Sequence, residues 1–218
     1  MTLWLYAVVA AKPRRRLGRG ISGETLRPIS ASRGRLHAVV GEGPRADLTR
    51  AALEGHAKVV ARLAAAVDAL LPARFGSVLD RSRLETLLDQ EADALLSALE
   101  RVRGREQMTV RVYARPRPQS RPRAPAGAGR GARYLAARLR AVDTDREASL
   151  AALRRAVAPL VRDERTVLHD EPPLVASVYH LIDRGRSRAY RARLKTARLP
   201  VRASGPWAPY AFAPERWA

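Results

Sequence analysis

Cysteine is absent from this 218-residue chain, and so is asparagine. Without cysteine there is no disulfide, no thiolate zinc site and no thiol nucleophile. Lysine is nearly absent as well, occurring only at Lys12, Lys58 and Lys195. The positive charge is therefore almost all arginine, and the formal net charge is +20. Such a balance favours anionic partners (nucleic acid, an acidic protein or a membrane surface) without choosing among them. Arginine and alanine in place of lysine and asparagine are also what a GC-rich coding sequence produces, so part of the basicity is compositional. No uninterrupted apolar stretch reaches the roughly 20 residues of a membrane-spanning helix. The apolar Thr2 to Ala11 precedes its positive cluster, Arg14-Arg15-Arg16, which is the reverse of a secretory leader. A soluble, cytoplasmic protein is expected. With 46% hydrophobic residues the chain can bury one large core or two small ones.

Local patterns give an order of elements. Leu3-Trp4-Leu5-Tyr6-Ala7-Val8-Val9 is a short run rich in aromatic and β-branched residues, which predicts a buried strand. Leu26 to Ser30 and Leu36 to Val40 are two more strands, with Ser32-Arg33-Gly34 as their turn. From about Asp47 to Leu71, residues Leu48, Ala52, His56, Val59, Leu63, Val67 and Leu70 share one helical face. Pro72 ends that helix. A short extended segment, Ala73 to Leu79, contains Gly76. A second helix spans about Arg81 to Arg103, with Ser82 and Glu85 spaced as a capping box and Gly104 closing it.

Met108 to Ala114 alternates cleanly and predicts a half-buried strand. Arg115 to Arg130 is almost wholly Pro, Arg, Ala and Gly, and is expected to be a disordered loop, at about 115–131. A long helix follows from about Ala132 to Val161, with Pro159 near its end. Leu174 to Ile182 is a central strand, Ser187 to Thr196 a basic helix and Leu199 to Ala203 a last strand. The first half thus reads β-β-β-α-β-α and the second β-α-β-α-β, close to a ferredoxin-like split βαβ unit with one strand missing or displaced. The expected class is α+β with two domains: residues 1–104, and residues 105–218 as a modified ferredoxin-like fold.

No catalytic constellation assembles. The four histidines, His37, His56, His169 and His180, have no second histidine or carboxylate at a metal-binding spacing. His56 falls on the apolar helix face and His180 within an apolar strand, so both read as core or interface histidines. Gly127-Ala128-Gly129-Arg130-Gly131 follows a proline-rich loop rather than a strand, so it is a linker and not a dinucleotide fingerprint. The expectation is a protein that is not an enzyme, with no cofactor and no metal. Three arginine clusters could bind phosphates: Arg14-Arg15-Arg16, the Arg115 to Arg130 loop, and Arg184 through Arg193. No RNA-recognition motif, GXXG loop or helix-turn-helix pattern accompanies them. A basic nucleic-acid- or polyanion-binding protein is the alternative reading, with nonspecific adhesion at low salt.

Two segments are unusual for loops. Leu71-Pro72-Ala73-Arg74-Phe75-Gly76-Ser77-Val78 lies between the helices, and Ser204-Gly205-Pro206-Trp207-Ala208-Pro209-Tyr210-Ala211-Phe212 lies in the tail. Together they resemble the signature segments of the gas vesicle protein GvpF/GvpL family, with Ser77 where that family has threonine. Weaker matches in the same order are Leu5 to Val9, the helix with Glu54 and His56, Glu106, Gly131 with Tyr134 and Leu135, and Leu181 to Arg184. The resemblance implies a non-enzymatic accessory protein of gas vesicle assembly or structure. It further implies a partner in the main shell protein GvpA and other accessory proteins, and a place at the gas vesicle. It also implies two α+β domains, the second ferredoxin-like. The residues it singles out, for protein interaction or structure, are Arg74, Phe75, Gly76, Gly205, Pro206, Trp207, Pro209, Tyr210 and Phe212. The +20 charge and the Arg115 to Arg130 insert are departures from that pattern.

Overall fold

The computed structural model describes residues 2–13, 17–31, 34–43, 47–114, 130–171 and 173–214, and for 130–143 the backbone only. The arginine cluster at 14–16 and the loop expected at about 115–131 lie outside the described residues, up to the helix that begins at Arg130. The protein is α+β with two antiparallel sheets. Its contacts divide it into two compact units: Met1–Gln107 with Pro206–Ala218, and Met108–Gly205.

In the first unit, β1 (Leu3–Val9) is buried along its whole length, as its apolar run demands. β3 (Leu36–Glu42) pairs antiparallel with it, and β2 (Arg27–Ala31) pairs with β3. The other edge of β1 carries two short strands in succession, β4 (Leu71–Pro72) against Val8 and Ala7, then β5 (Val78–Leu79) against Trp4 and Leu3. Between them the chain leaves the ladder over Ala73–Ser77 and returns to it.

Helix α1 runs Arg50–Ala66, with the Thr49 hydroxyl capping the Ala52 amide at 3.1 Å. His56, Val59, Val60 and Leu63 form its buried face. The helix stops well short of Leu71. Pairing of Leu71 and Pro72 with β1 claims those residues, and a proline biases its predecessor away from helical geometry. Leu48, expected on the apolar face, precedes the helix and is 78% exposed. The helix expected over Arg81 to Arg103 is two, α2 (Arg81–Gln90) and α3 (Ala92–Val102), broken at Glu91 within the polar run Asp89-Gln90-Glu91. Its cap is Asp80, which accepts from the Arg83 amide at 2.8 Å, while the Ser82 hydroxyl donates to Asp80. Sequence spacing had favoured Ser82 because Glu85 follows it; Glu85 instead pairs with Arg81.

The second unit contains β6 (Arg105–Tyr113, from Met108 on), α4 (Arg130–Val157), β7 (Val161–Leu168), β8 (Leu174–Asp183), α5 (Ser187–Ala197) and β9 (Val201–Trp207, up to Gly205). The strand order is β7-β8-β6-β9. β7 is the strand that the sequence reading lacked. Four of its residues in a row, Arg162 to Arg165, are charged, which hides a strand from a hydrophobic pattern but suits a sheet edge. Arg162 pairs with Asp183 of β8 at 2.6 Å, beside the start of the ladder. Met108, Val110 and Val112 of β6 are buried with Leu153, Val157, Val178 and Tyr190.

Candidate functional site

Arg74 to Ser77 forms a tight turn closed by the Ser77 amide donating to the Arg74 carbonyl at 3.2 Å. Gly76 sits in it at φ +87°, a geometry that glycine adopts without strain. Both ends of the excursion are fastened to β1: the Ala73 amide donates to the Tyr6 carbonyl, and the Leu5 amide to the Ser77 carbonyl, each at 2.9 Å. This fastening directs Phe75 inward. Its ring lies 5.5 Å from Trp4 and meets the His56 ring edge-on at 5.8 Å. His56 in turn stacks on Tyr6 at 5.4 Å with planes 20° apart. Arg74, one residue earlier, is exposed.

The polar atoms of this aromatic stack are handled unequally. The Tyr6 hydroxyl donates to the Glu24 carboxylate and accepts from the Ile21 amide at 3.0 Å. Burial, reinforced by Glu24, pushes the Tyr6 pKa upward. His56 is 3% exposed, and its Nε2 has no hydrogen-bond partner. Burial alone pushes its pKa down to about 4, so the ring is neutral at physiological pH.

From Pro206 on, the tail segment belongs to the same unit. Gly205, within β9, has φ +113°, a backbone geometry that favours glycine. Pro206 and Trp207 are exposed, Trp207 by 47%. Ala208 and Pro209 are buried, and a 3₁₀ turn, Tyr210–Phe212, follows. It is held by Phe212 N–H donating to the Pro209 carbonyl at 3.0 Å and by Ala211 N–H donating to the buried Gln107 side chain at 2.8 Å. Phe212 is completely buried, and burial pushes Tyr210 up to about 12. This turn packs beside β4, and Ala208, Tyr210 and Phe75 meet the same core cluster. The two segments singled out in the sequence therefore converge, and both phenylalanines of the chain lie in them. Phe75, Pro209, Tyr210 and Phe212 face the core, while Arg74, Pro206 and Trp207 face outward. A cavity of about 720 Å³ elsewhere in this unit, lined by Val9, Lys12, Leu17, Arg62, Val67 and Arg103, contains none of these residues.

A second polar cluster, in the other unit, was not foreseen as a cluster. His180 and Tyr190 are both fully buried, and the Tyr190 hydroxyl meets His180 Nδ1. His180 Nε2 lies 3.0 Å from Glu164, which also accepts from Arg154 at 2.7 Å and Thr166 at 2.8 Å. Burial raises the Glu164 pKa, but the bonds from Arg154, His180 and Thr166 outweigh it and hold the carboxyl at about 2. Burial likewise depresses His180, against the pull of Glu164. A neutral ring then donates from Nε2 to the carboxylate and accepts the tyrosine proton at Nδ1. The signal was hidden because Glu164 sits on the unrecognised β7; in register, Glu164 stands opposite His180. Among the described residues no group of three or more His, Asp or Glu is arranged to hold a metal ion. No described helix is long and apolar enough to cross a membrane.

Comparison with known proteins gives a consistent picture. The family described as "Gas vesicle synthesis protein GvpL/GvpF" matches over residues 2–214. "Gas vesicle protein L" of Streptomyces sp. (strain CB03234) is 32% identical over 228 aligned positions, covering 89% of this chain and 85% of that protein. The crystal structure of the gas vesicle protein GvpF from Microcystis aeruginosa superposes with a TM-score of 0.79 at 16% identity, covering 98% of this chain and 99% of that one. GvpF from Anabaena sp. PCC7120 superposes with a TM-score of 0.74, also at 16% identity, over 98% of each chain.

Proposed function

The chain belongs to the GvpL/GvpF family of gas vesicle synthesis proteins, a family of structural and assembly proteins rather than enzymes, and from that premise we propose that it acts by binding the main shell protein GvpA at the gas vesicle. The observation that carries this reading is the division of its signature residues. Phe75, Pro209, Tyr210 and Phe212 build the core, whereas Trp207 leaves nearly half its surface in water within the same segment. A half-exposed tryptophan is a large, rigid anchor, of the kind that dominates protein interfaces. Exposed Arg74 supplies a planar fork of donors for carboxylates or backbone carbonyls. In this reading the inward residues fix the turns, and Trp207 and Arg74 meet the shell subunit.

We further read the second unit as a modified ferredoxin-like domain. The reading is supported by its element order, β-α-β-β-α-β, and by its strand order, β7-β8-β6-β9.

The test is capture of GvpA by immobilised wild type, Trp207→Ala and Arg74→Ala proteins. Trp207→Ala is expected to lose capture about tenfold or more while its melting temperature stays near that of wild type, because the residue is a hot-spot candidate outside the core. Undiminished capture by both variants would remove these residues from the interface.

A further inference from the structure

Among the described residues the two sheets end in β2, in β4 and β5, in β7 and in β9. An edge strand offers a row of backbone donors and acceptors to any extended chain, and proteins blunt it with proline, shortness or charge. β2 carries Pro28, β9 carries Pro206, and β4 and β5 are two residues each. β7 has eight residues and neither proline nor glycine. Its end holds Val167 and Leu168, which are 49% and 52% exposed. Covering two adjacent apolar side chains is favourable, so β7 is the edge with most to gain from a partner strand.

The ladder with β8 fixes which groups of β7 point outward. His169 N–H donates to the Val175 carbonyl at 3.0 Å, and the register is regular from Asp163 to Leu168. In an antiparallel pair the residues bonded to one neighbour alternate along the strand. Asp163, Arg165 and Val167 therefore turn their amides and carbonyls to β8, and Glu164, Thr166 and Leu168 turn theirs away from it. In keeping with this, the Glu164 amide donates to the side chain of Asp163, at 2.8 Å. Charge normally keeps such an edge single. Here the sequence Val161-Arg162-Asp163-Glu164-Arg165-Thr166-Val167 is self-complementary about Glu164. Laid antiparallel on a second copy, it sets Asp163 opposite Arg165, Arg162 opposite Thr166 and Val161 opposite Val167. The register shift between Val161 and Asp163 leaves the central stretch from Asp163 to Arg165 regular.

We propose that β7 pairs antiparallel with β7 of a second copy of this chain, about a two-fold axis at Glu164, and joins two four-stranded sheets into one. The Glu164 amides and carbonyls exchange hydrogen bonds across the axis. Asp163 and Arg165 flank them in non-hydrogen-bonded pairs, where side chains approach most closely. Moving the centre by one residue puts Asp163 opposite Asp163 or Arg165 opposite Arg165, so charge selects the register. The two Glu164 carboxylates at the axis are each bonded to Arg154 of their own chain, at 2.7 Å. Val167 and Leu168 gain cover from Val161 and Leu160 of the other copy. The net charge of +20 opposes association at a distance. At about 0.15 M salt the Debye length is about 8 Å, which screens that repulsion more than it weakens contacts across a ladder. This interface uses none of the residues assigned to shell-protein capture.

Sedimentation velocity of the full-length protein, over a dilution series at that salt, tests it. Wild type is expected to be a reversible dimer. Asp163→Arg and, separately, Arg165→Asp should each weaken dimerisation about tenfold or more, because two opposite-charge pairs become like-charge pairs. Mixing the two variants should restore a dimer, since every facing pair across the axis is then opposite in charge. The double variant Asp163→Arg/Arg165→Asp should dimerise like wild type, which separates a broken interface from a folding defect. Trp207→Ala should dimerise unchanged. A wild type that stays monomeric throughout, a dimer indifferent to the single variants, or a mixture that remains monomeric would overturn the proposal. So would a monomeric wild type that loses GvpA capture on Asp163→Arg, which would give the edge to the shell subunit.

Discussion

His56 in the first unit and His180 in the second are both sealed from water beside a tyrosine ring, yet the two units accommodate them by opposite means. His180 is hydrogen-bonded at both nitrogens, to Tyr190 and to Glu164, and the carboxylate is itself tied to Arg154 and Thr166. His56 is held between the rings of Tyr6 and Phe75, and its Nε2 is left without a partner. An unsatisfied buried polar atom costs about 1–3 kcal/mol. In the first unit that cost is offset by aromatic contact and apolar burial. In the second, directional bonds between β7, β8, α4 and α5 do the equivalent work. A network is sensitive to the loss of any member, whereas a stack tolerates replacement by another flat ring.

The contrast can be broken most forcefully at Glu164. Glu164→Ala leaves the His180 Nε2–H and the Arg154 guanidinium without their acceptor, and should destabilise the protein by about 3 kcal/mol. Urea unfolding reads the loss, and hydrogen exchange should place it on β7, β8 and α5. A loss below about 1 kcal/mol would mean that apolar burial, not the network, holds this unit.

Acid titration sharpens the same comparison from the other side. In the unfolded chain His56 takes up a proton near pH 6.5, but in the fold it stays neutral to about 4. The unfolded state therefore binds more protons between those values, so stability is full above pH 6.5 and declines as pH falls towards 4. The decline attributable to His56 is up to about 3 kcal/mol. His56→Phe keeps a flat ring and removes the titrating nitrogen. It should be at least as stable as wild type at pH 7, and its stability should fall less steeply on acidification; an identical pH profile would contradict the buried neutral state. Some acid sensitivity should persist, since His180 is depressed in the same direction.

The smallest effect is expected at Tyr190. Tyr190→Phe retains the ring and deletes only the donor to His180 Nδ1, so the expected cost is about 1 kcal/mol in the same urea assay. A cost equal to that of Glu164→Ala would show that the hydroxyl, not the carboxylate, organises the cluster.

Much of this architecture was legible from residue patterns because burial leaves a period. β1 is an unbroken apolar run, β6 alternates, and the α1 face through His56, Val59 and Leu63 follows helical spacing. What was illegible has physical causes. β7 is a charged edge strand whose partners lie on β8 and α4, so nothing local marks it. The end of α1 is set by pairing of Leu71 and Pro72 with a strand far earlier in the chain. In the signature segments the residue types were visible, but not that Phe212 would be buried completely while Trp207, five residues earlier, stayed half in water. Their convergence depends on contacts between β4 and a turn more than a hundred residues later, which no local pattern encodes.

The hydrogen bond from Ala211 to Gln107 spans 104 residues, and the whole of Met108–Gly205 is synthesised between its two ends. At a ribosomal rate of about 5–20 residues per second, the turn that meets Gln107 follows it by roughly 5–20 s. The second unit is itself complete in sequence only at Gly205, about 1 s before Ala211 at that rate, while the first waits through the whole interval with the place of Phe212 unfilled. Both units are thus completed by the same last stretch of chain, β9 for the inner one and the turn after it for the outer one. In a nascent chain, the surface that Ala208 and Phe212 cover is the last to close.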